Sequence, residues 1–426
     1  MKKNKLGLLV GLVFLAVSLN AQDINSPFSR FGLGRLYGEG VSTQQQSMGG
    51  IGLGFTDPFT INPSNPASYA NFVSKSFVFQ TGIIADFGSL STTQNSQSYN
   101  YMTLGHVEIG FPVTNWWRSS FGVLPYSKTG YDILDNFNVS GFGNMTSERW
   151  GQGGLTRIYW GNGFKITKNL RVGVNVSYLF GNTRYYNIVY SPDSLEVFGT
   201  KTEQYLKVGN LLYDWGLQYD IHLKKGRVIT LGAVYSNKVN VSANRYWLAT
   251  SLTGGYGSTP ADVRDTIQYV PSENGKLLIP AHYGIGFTYT QPGHWLVGAD
   301  IDWQNWSQFR SFGQSDSLQQ SFTIAVGGEY TPTHTTISRL GKRMSYRLGM
   351  RYQQSYLSLY GTSINEFAVT GGVKFPFKRN PSNLNVGFEI GSHGTLQNNL
   401  VKDGFFNLSF GINIVDLTWF IKPKYR

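Results

Sequence analysis

The chain contains no cysteine in its 426 residues. That excludes a disulfide scaffold, a thiolate metal site and a lipid-modified cysteine at the N-terminus. No segment after the N-terminus holds about 18 consecutive apolar residues, the length an α-helix needs to span a bilayer. Proline is modest at 15 residues, against 51 glycines, 28 phenylalanines and 26 tyrosines. This balance favours strands, turns and aromatic surfaces over helices. The six histidines (His106, His222, His282, His294, His334 and His393) are dispersed, with no histidine or carboxylate pair at ligand spacing, so neither a metal nor another cofactor is expected. The formal charge of +12 comes from basic residues scattered singly. Such scatter fits solvated loops or an anionic lipid surface and argues against nucleic acid as a partner.

The N-terminus carries a targeting pattern: Lys2, Lys3 and Lys5, an apolar stretch from Leu6 to Val17, and a small-residue cleavage position at Ala21. Residues 1–21 are expected to be a Sec-type signal peptide, and the mature protein to leave the cytoplasm. Its mean hydropathy of −0.21 suits an outer-membrane barrel, in which only every second strand residue meets lipid.

From Trp295 to Gln304 the sequence alternates strictly. Trp295, Val297, Ala299, Ile301 and Trp303 share one parity; Leu296, Gly298, Asp300, Asp302 and Gln304 share the other. Successive side chains of a strand point to opposite sides, so such a run separates an apolar medium from a wet one. The pattern recurs at Tyr213 to Ile221, Tyr346 to Gln353 and Phe406 to Ile414. Fourteen candidate strands follow residue 70, most of them long enough to cross a bilayer at a tilt, which takes about 9 to 11 residues. Short connectors at Pro112 to Trp117, Thr167 to Asn169, His222 to Gly226 and Gln291 to His294 alternate with longer ones. The long ones, Tyr131 to Gln152, Ile188 to Glu203 and Val239 to Ala281, are polar or Gly-rich and are expected to be irregular external loops. The predicted fold is an all-β, 14-stranded antiparallel barrel over 71–420, with Trp116, Trp117, Trp160, Trp295, Trp303 and Trp419 available for interfacial girdles. A soluble β-sandwich would leave the aromatic outer face without a partner.

Residues 22–70 do not read as strands. Glycines at Gly49, Gly50, Gly52 and Gly54 precede Asp57-Pro58 and Asn62-Pro63-Ser64-Asn65-Pro66-Ala67. Glycine permits tight backbone packing and proline fixes the chain, which suits a compact insert inside the barrel. No lysine follows the glycines, so they are not a phosphate loop.

Met48-Gly49-Gly50, then Asp57 and Asn65-Pro66-Ala67, resembles the N-terminal hatch of the FadL-type outer-membrane transport proteins, whose hatch ends in an Asn-Pro-Ala box. Ile279-Pro280-Ala281 with Gly284, Asp300-Ile301-Asp302-Trp303 with Trp306-Ser307, and Tyr346-Arg347-Leu348-Gly349-Met350-Arg351-Tyr352 are similar to further segments of that family. The basic tail at 421–426, expected in the periplasm, looks like the form seen in Bacteroidota members, and the chain also resembles the PorV-like branch. The resemblance implies a 14-stranded barrel with residues 22–70 as hatch, and two functions. One is passive uptake of a hydrophobic or amphipathic small molecule across the outer membrane. The other is an accessory role in a larger outer-membrane complex, such as secretion or barrel-assembly machinery, with protein partners there beside the surrounding lipids.

Catalysis is not expected. A barrel phospholipase needs Ser and His together on the outer face, and nothing selects Ser74 and His106 from the other candidates. By parity, Asp300, Asp302, Arg347, Arg351, Lys374 and Glu389 point into the lumen. They form either a lining that orients a ligand head group or a salt-bridge network that fixes the plug, with Arg30 or Arg35 of the hatch as partner. Tyr246, Trp247, Leu248, Leu252 and Tyr256 form either an apolar capture surface in a loop or a cap over the barrel mouth.

Overall fold

The computed structural model describes residues 26–37, 42–193, 197–253, 262–333, 338–378 and 380–419. The signal segment, the tail at 421–426 and Tyr256 lie outside the described residues. Fourteen wall strands close into an antiparallel barrel. They are β1 (Phe77–Ser91), β2 (Ser96–Pro112), β3 (Trp117–Val139), β4 (Gly143–Lys165), β5 (Leu170–Tyr190) and β6 (Gly199–His222). Next come β7 (Val228–Ser236 continued by Val239–Thr253), β8 (Asp262–Ile279 continued by His282–Gln291) and β9 (Trp295–Asn305). The series ends with β10 (Gln320–Tyr330), β11 (Ser345–Leu359), β12 (Thr362–Pro376), β13 (Asn383–Gly394) and β14 (Lys402–Asp416). Pairing of β14 with β1, from Asp416 opposite Phe77 to Lys402 opposite Ser91, closes the ring.

The parities read from the sequence hold. Val297, Ile301 and Trp303 of β9 are exposed on the outer face, while Leu296 and Asp300 are buried. On β6 the exposed apolar residues run from Leu211 to Ile221, about the length that crosses a bilayer. Toward Gly199 the outward positions become Lys207, Tyr205, Glu203 and Lys201, so this half of the strand stands clear of the hydrocarbon. A closed barrel with such an apolar belt is an outer-membrane protein.

The long external connectors are not irregular. β3 and β4 stay paired out to Val139 opposite Gly143, and β7 and β8 out to Thr253 opposite Asp262. Beyond the membrane both faces of a hairpin meet water. Backbone pairing persists there without side-chain alternation, so periodicity does not reveal it. The first strand also begins later than its apolar residues suggest. Phe72 turns inward and is buried, Lys75 adopts a left-handed φ of 65°, and β1 starts at Phe77.

The N-terminal segment fills the lumen. Gly327 of β10 and Gly349 of β11 face each other across the wall, and a Cβ on either would collide with the backbone of Met48. Phe28, Leu33, Trp306, Phe309 and Tyr356 form an apolar cluster. Ile61, Tyr69, Phe72 and Tyr159 form a second.

Candidate functional site

The plug is held by side chains whose polar groups substitute for water. Ser42 caps the one-turn helix α1 (Thr43–Gln46) in a capping box with Gln45. The Gln45 amide donates to Asn62 Oδ1 at 2.7 Å, and Asn62 Nδ2 donates to the carbonyls of Gly52 and Phe55 at 2.7 and 3.0 Å. Asn65 is the cap of a 3-10 helix over Pro66–Asn71: its Oδ1 accepts from Ala67 N at 3.1 Å, and its Nδ2 donates to the carbonyls of Leu53 (2.8 Å) and of wall residue Leu217 (3.1 Å). The Asn-Pro-Ala box is thus a helix start bolted to the barrel. Tyr69 donates to Asn175 at 3.1 Å, and burial pushes its phenol well above the ordinary value, which keeps it a neutral donor. Gly49 and Gly50 both have positive φ, and Gly49 N donates to Thr370 Oγ1 at 2.8 Å.

The inward acids and bases divide the work. Asp300 accepts the backbone N–H groups of Gly52 and Leu53 at 2.6 and 2.8 Å. Arg351 bridges Glu366 and Glu389 at 2.8 and 2.5 Å, and Gln46 of the plug donates to Glu389 at 3.0 Å. Arg347 pairs with Glu329 and Asn385 instead, each at 2.7 Å. Lys374 lies 3.8 Å from Asp57, and Asp302 lies 3.0 Å from His282. Arg35 supplies the plug's cation, 3.7 Å from Glu366 and 3.9 Å from Asp403. Asp86, Glu366 and Asp403 belong to this layer but were not singled out in the sequence. Glu366 shares the parity of Lys374 on one strand, which is the available signal; Asp403 falls before the alternation from Phe406 to Ile414 begins.

Two interruptions of the wall adjoin residues that line an internal cavity. β2 and β3 pair only from Val107 opposite Val123 to Pro112 opposite Arg118. Above that they part, where Pro125 brings a proline without an N–H and a bulge up to Ser127. The plug covers this seam from inside: Arg35 and Leu36 pair with Lys128 and Ser127, and Tyr37 N donates to Tyr126 O at 3.0 Å. The second interruption sets Asn237-Lys238 of β7 beside Pro280-Ala281 of β8, and Gln304 of β9 closes it by donating to Pro280 O at 2.9 Å. Between plug and wall lies a cavity of about 290 Å³ that reaches from Pro125 and Tyr126 at the seam to Asp300 and Gln304 on β9.

The residues expected as a capture loop lie in a paired strand. Tyr246, Trp247, Leu248 and Leu252 oppose Tyr205, Gln204, Glu203 and Gly199 of β6, and Leu252 is buried. They belong to the external sheet, which stands above the barrel mouth.

The fold is that of the FadL-type channels. A FadL homologue from Pseudomonas aeruginosa superposes with a TM-score of 0.61 at 14% identity, over 90% of this chain and 99% of that one. The Pseudomonas putida toluene transporter TodX gives 0.59 at 16% identity, over 89% and 98%. The Ralstonia pickettii toluene transporter TbuX gives 0.57 at 14%, over 88% and 98%. No curated protein matches by sequence. The BamG family profile matches residues 1–426, so the chain belongs to the BamG family, built on a plugged FadL-type barrel.

Proposed function

We propose that the protein admits amphipathic small molecules through the outer membrane by passive diffusion. The observation that carries this reading is the seam between β2 and β3, which joins the internal cavity to the level of the apolar belt. A molecule entering the lumen would leave sideways past Tyr37 once the Arg35–Leu36 strand shifts. The solved barrels of like fold, among them two toluene transporters, support a small-molecule cargo. The carboxylates that line the cavity favour an amphipath over a plain hydrocarbon. Proteoliposomes test this with octyltrimethylammonium and octanesulfonate, permanently charged amphipaths that cross lipid slowly unaided. Influx of either above protein-free vesicles supports the reading; influx of neither contradicts it.

The hydrogen-bonded plug favours a second reading, an accessory subunit in a larger outer-membrane assembly. The external sheet offers exposed Val263, Ile267 and Tyr269 to a partner protein. Recovery in a stoichiometric complex after extraction in mild detergent supports it, and recovery of the barrel alone counts against it.

A further inference from the structure

The internal cavity is lined by more carboxylates than cationic side chains. Asp86, Asp300, Asp302, Glu366 and Glu389 line it, against the guanidinium groups of Arg35 and Arg351. Those two cations are already shared among Glu366, Glu389 and Asp403. Asp86 draws on Arg35 as well, and Asp300 holds N–H groups of the plug rather than a cation, so the carboxylates outnumber the cations they share, and acids gathered in an enclosed lumen attract positive charge. An independent observation points the same way. Asn407 stands in the register between Asp86 and Glu389, is 8% exposed, and its Oδ1 has no hydrogen-bond partner; Asp300, 3% exposed, likewise has one free oxygen, Oδ1. Both side chains line the cavity. Buried acceptors without donors are costly, and a donor-bearing or cationic guest relieves them.

Aromatic rings form part of the same lining. Trp306 and Tyr356 line the cavity with ring centroids 5.2 Å apart. At the seam end the Tyr101 face already receives a cation, with Lys128 Nζ 5.7 Å from its centroid. Carboxylates opposite aromatic faces are the chemistry that holds an organic ammonium, whose positive surface meets ring faces and whose charge meets the acids. Among the described residues no group of His, Cys, Asp and Glu is arranged to hold a metal ion. We propose that the cavity is a binding site for a small organic ammonium ion. This names the ligand class of the site on which the uptake reading rests, and binding at equilibrium is measured without transport, so the two fail separately.

The test is calorimetric titration of the full barrel in detergent with benzyltrimethylammonium, phenylmethanesulfonate and benzyl alcohol, which share a ring and differ in charge. The ammonium is expected to bind at least tenfold more tightly than the other two. Asp86→Asn should weaken it at least fivefold, and Asn407→Asp should tighten it, with heat-modifiable electrophoretic mobility showing that each variant is folded. Absence of saturable ammonium binding, or anion or alcohol binding of equal strength, overturns the proposal. So does unchanged affinity in both folded variants.

Discussion

Asp300 of β9 accepts the backbone N–H of Gly52 at 2.6 Å, joining the strand whose alternation is clearest in the sequence to the glycine run of the plug. The same carboxylate oxygen takes Leu53 N at 2.8 Å. Asp302, two residues on, faces His282 and is less buried. The plug-anchoring duty expected of the inward acids on this strand therefore falls on Asp300. Asp300→Ala leaves both N–H groups buried without acceptors, at about 1–3 kcal/mol each. Urea unfolding of the detergent-solubilised barrel should show a clear loss for Asp300→Ala and a smaller one for Asp302→Ala.

Arg351 holds two buried carboxylates apart from one another's repulsion. Arg351→Met should destabilise the barrel by about 3–5 kcal/mol, the cost of breaking a buried pair from one side. Adding Glu366→Gln and Glu389→Gln to the same chain should recover much of that loss, because the uncompensated charge is then gone. A triple variant as unstable as the single one would show that packing of the guanidinium, not its charge, matters.

The bilayer boundary is also testable. Met350 lies in the apolar belt and is 53% exposed; Leu134, 63% exposed, lies on the part of β3 that extends past the seam. An arginine at Met350 should cost about 2–4 kcal/mol in a lipid bilayer, and at Leu134 close to none. Reversible unfolding in lipid vesicles measures both. Equal costs would place the hydrocarbon boundary elsewhere.

At Gly327 and Gly349 the wall must admit the backbone of Met48. Gly327→Ala is expected to cost about 1–3 kcal/mol by overpacking and to raise the protease sensitivity of the plug. Gly361, where a Cβ would meet nothing within 4 Å but φ is 74°, separates the effect of crowding from that of backbone strain.

Much of this architecture is legible in the sequence, because lipid on one side and polar groups on the other impose a period of two on β9, β11 and β14. The inward placing of Asp300, Arg351 and Glu389 follows from that period. The external hairpins are not legible, since Tyr246 and Trp247 lie where both faces are outside the hydrocarbon and no alternation is imposed. Nor is the seam: it depends on which strand edges part in space, and Pro125 is its one local sign. Arg35 could be named as a partner, but its pairing with Glu366 and Asp403 depends on a fold that brings residues from opposite ends of the chain together.

The proposed uptake sends cargo out through the seam that the plug strand covers. Leu36 and Ser127 are direct cross-strand partners, and the chain has no other cysteine to interfere. A Leu36→Cys/Ser127→Cys variant, oxidised and reconstituted in vesicles, should lose amphipath influx and regain it on reduction. Influx that proceeds at the wild-type rate with the disulfide formed would contradict exit through the seam.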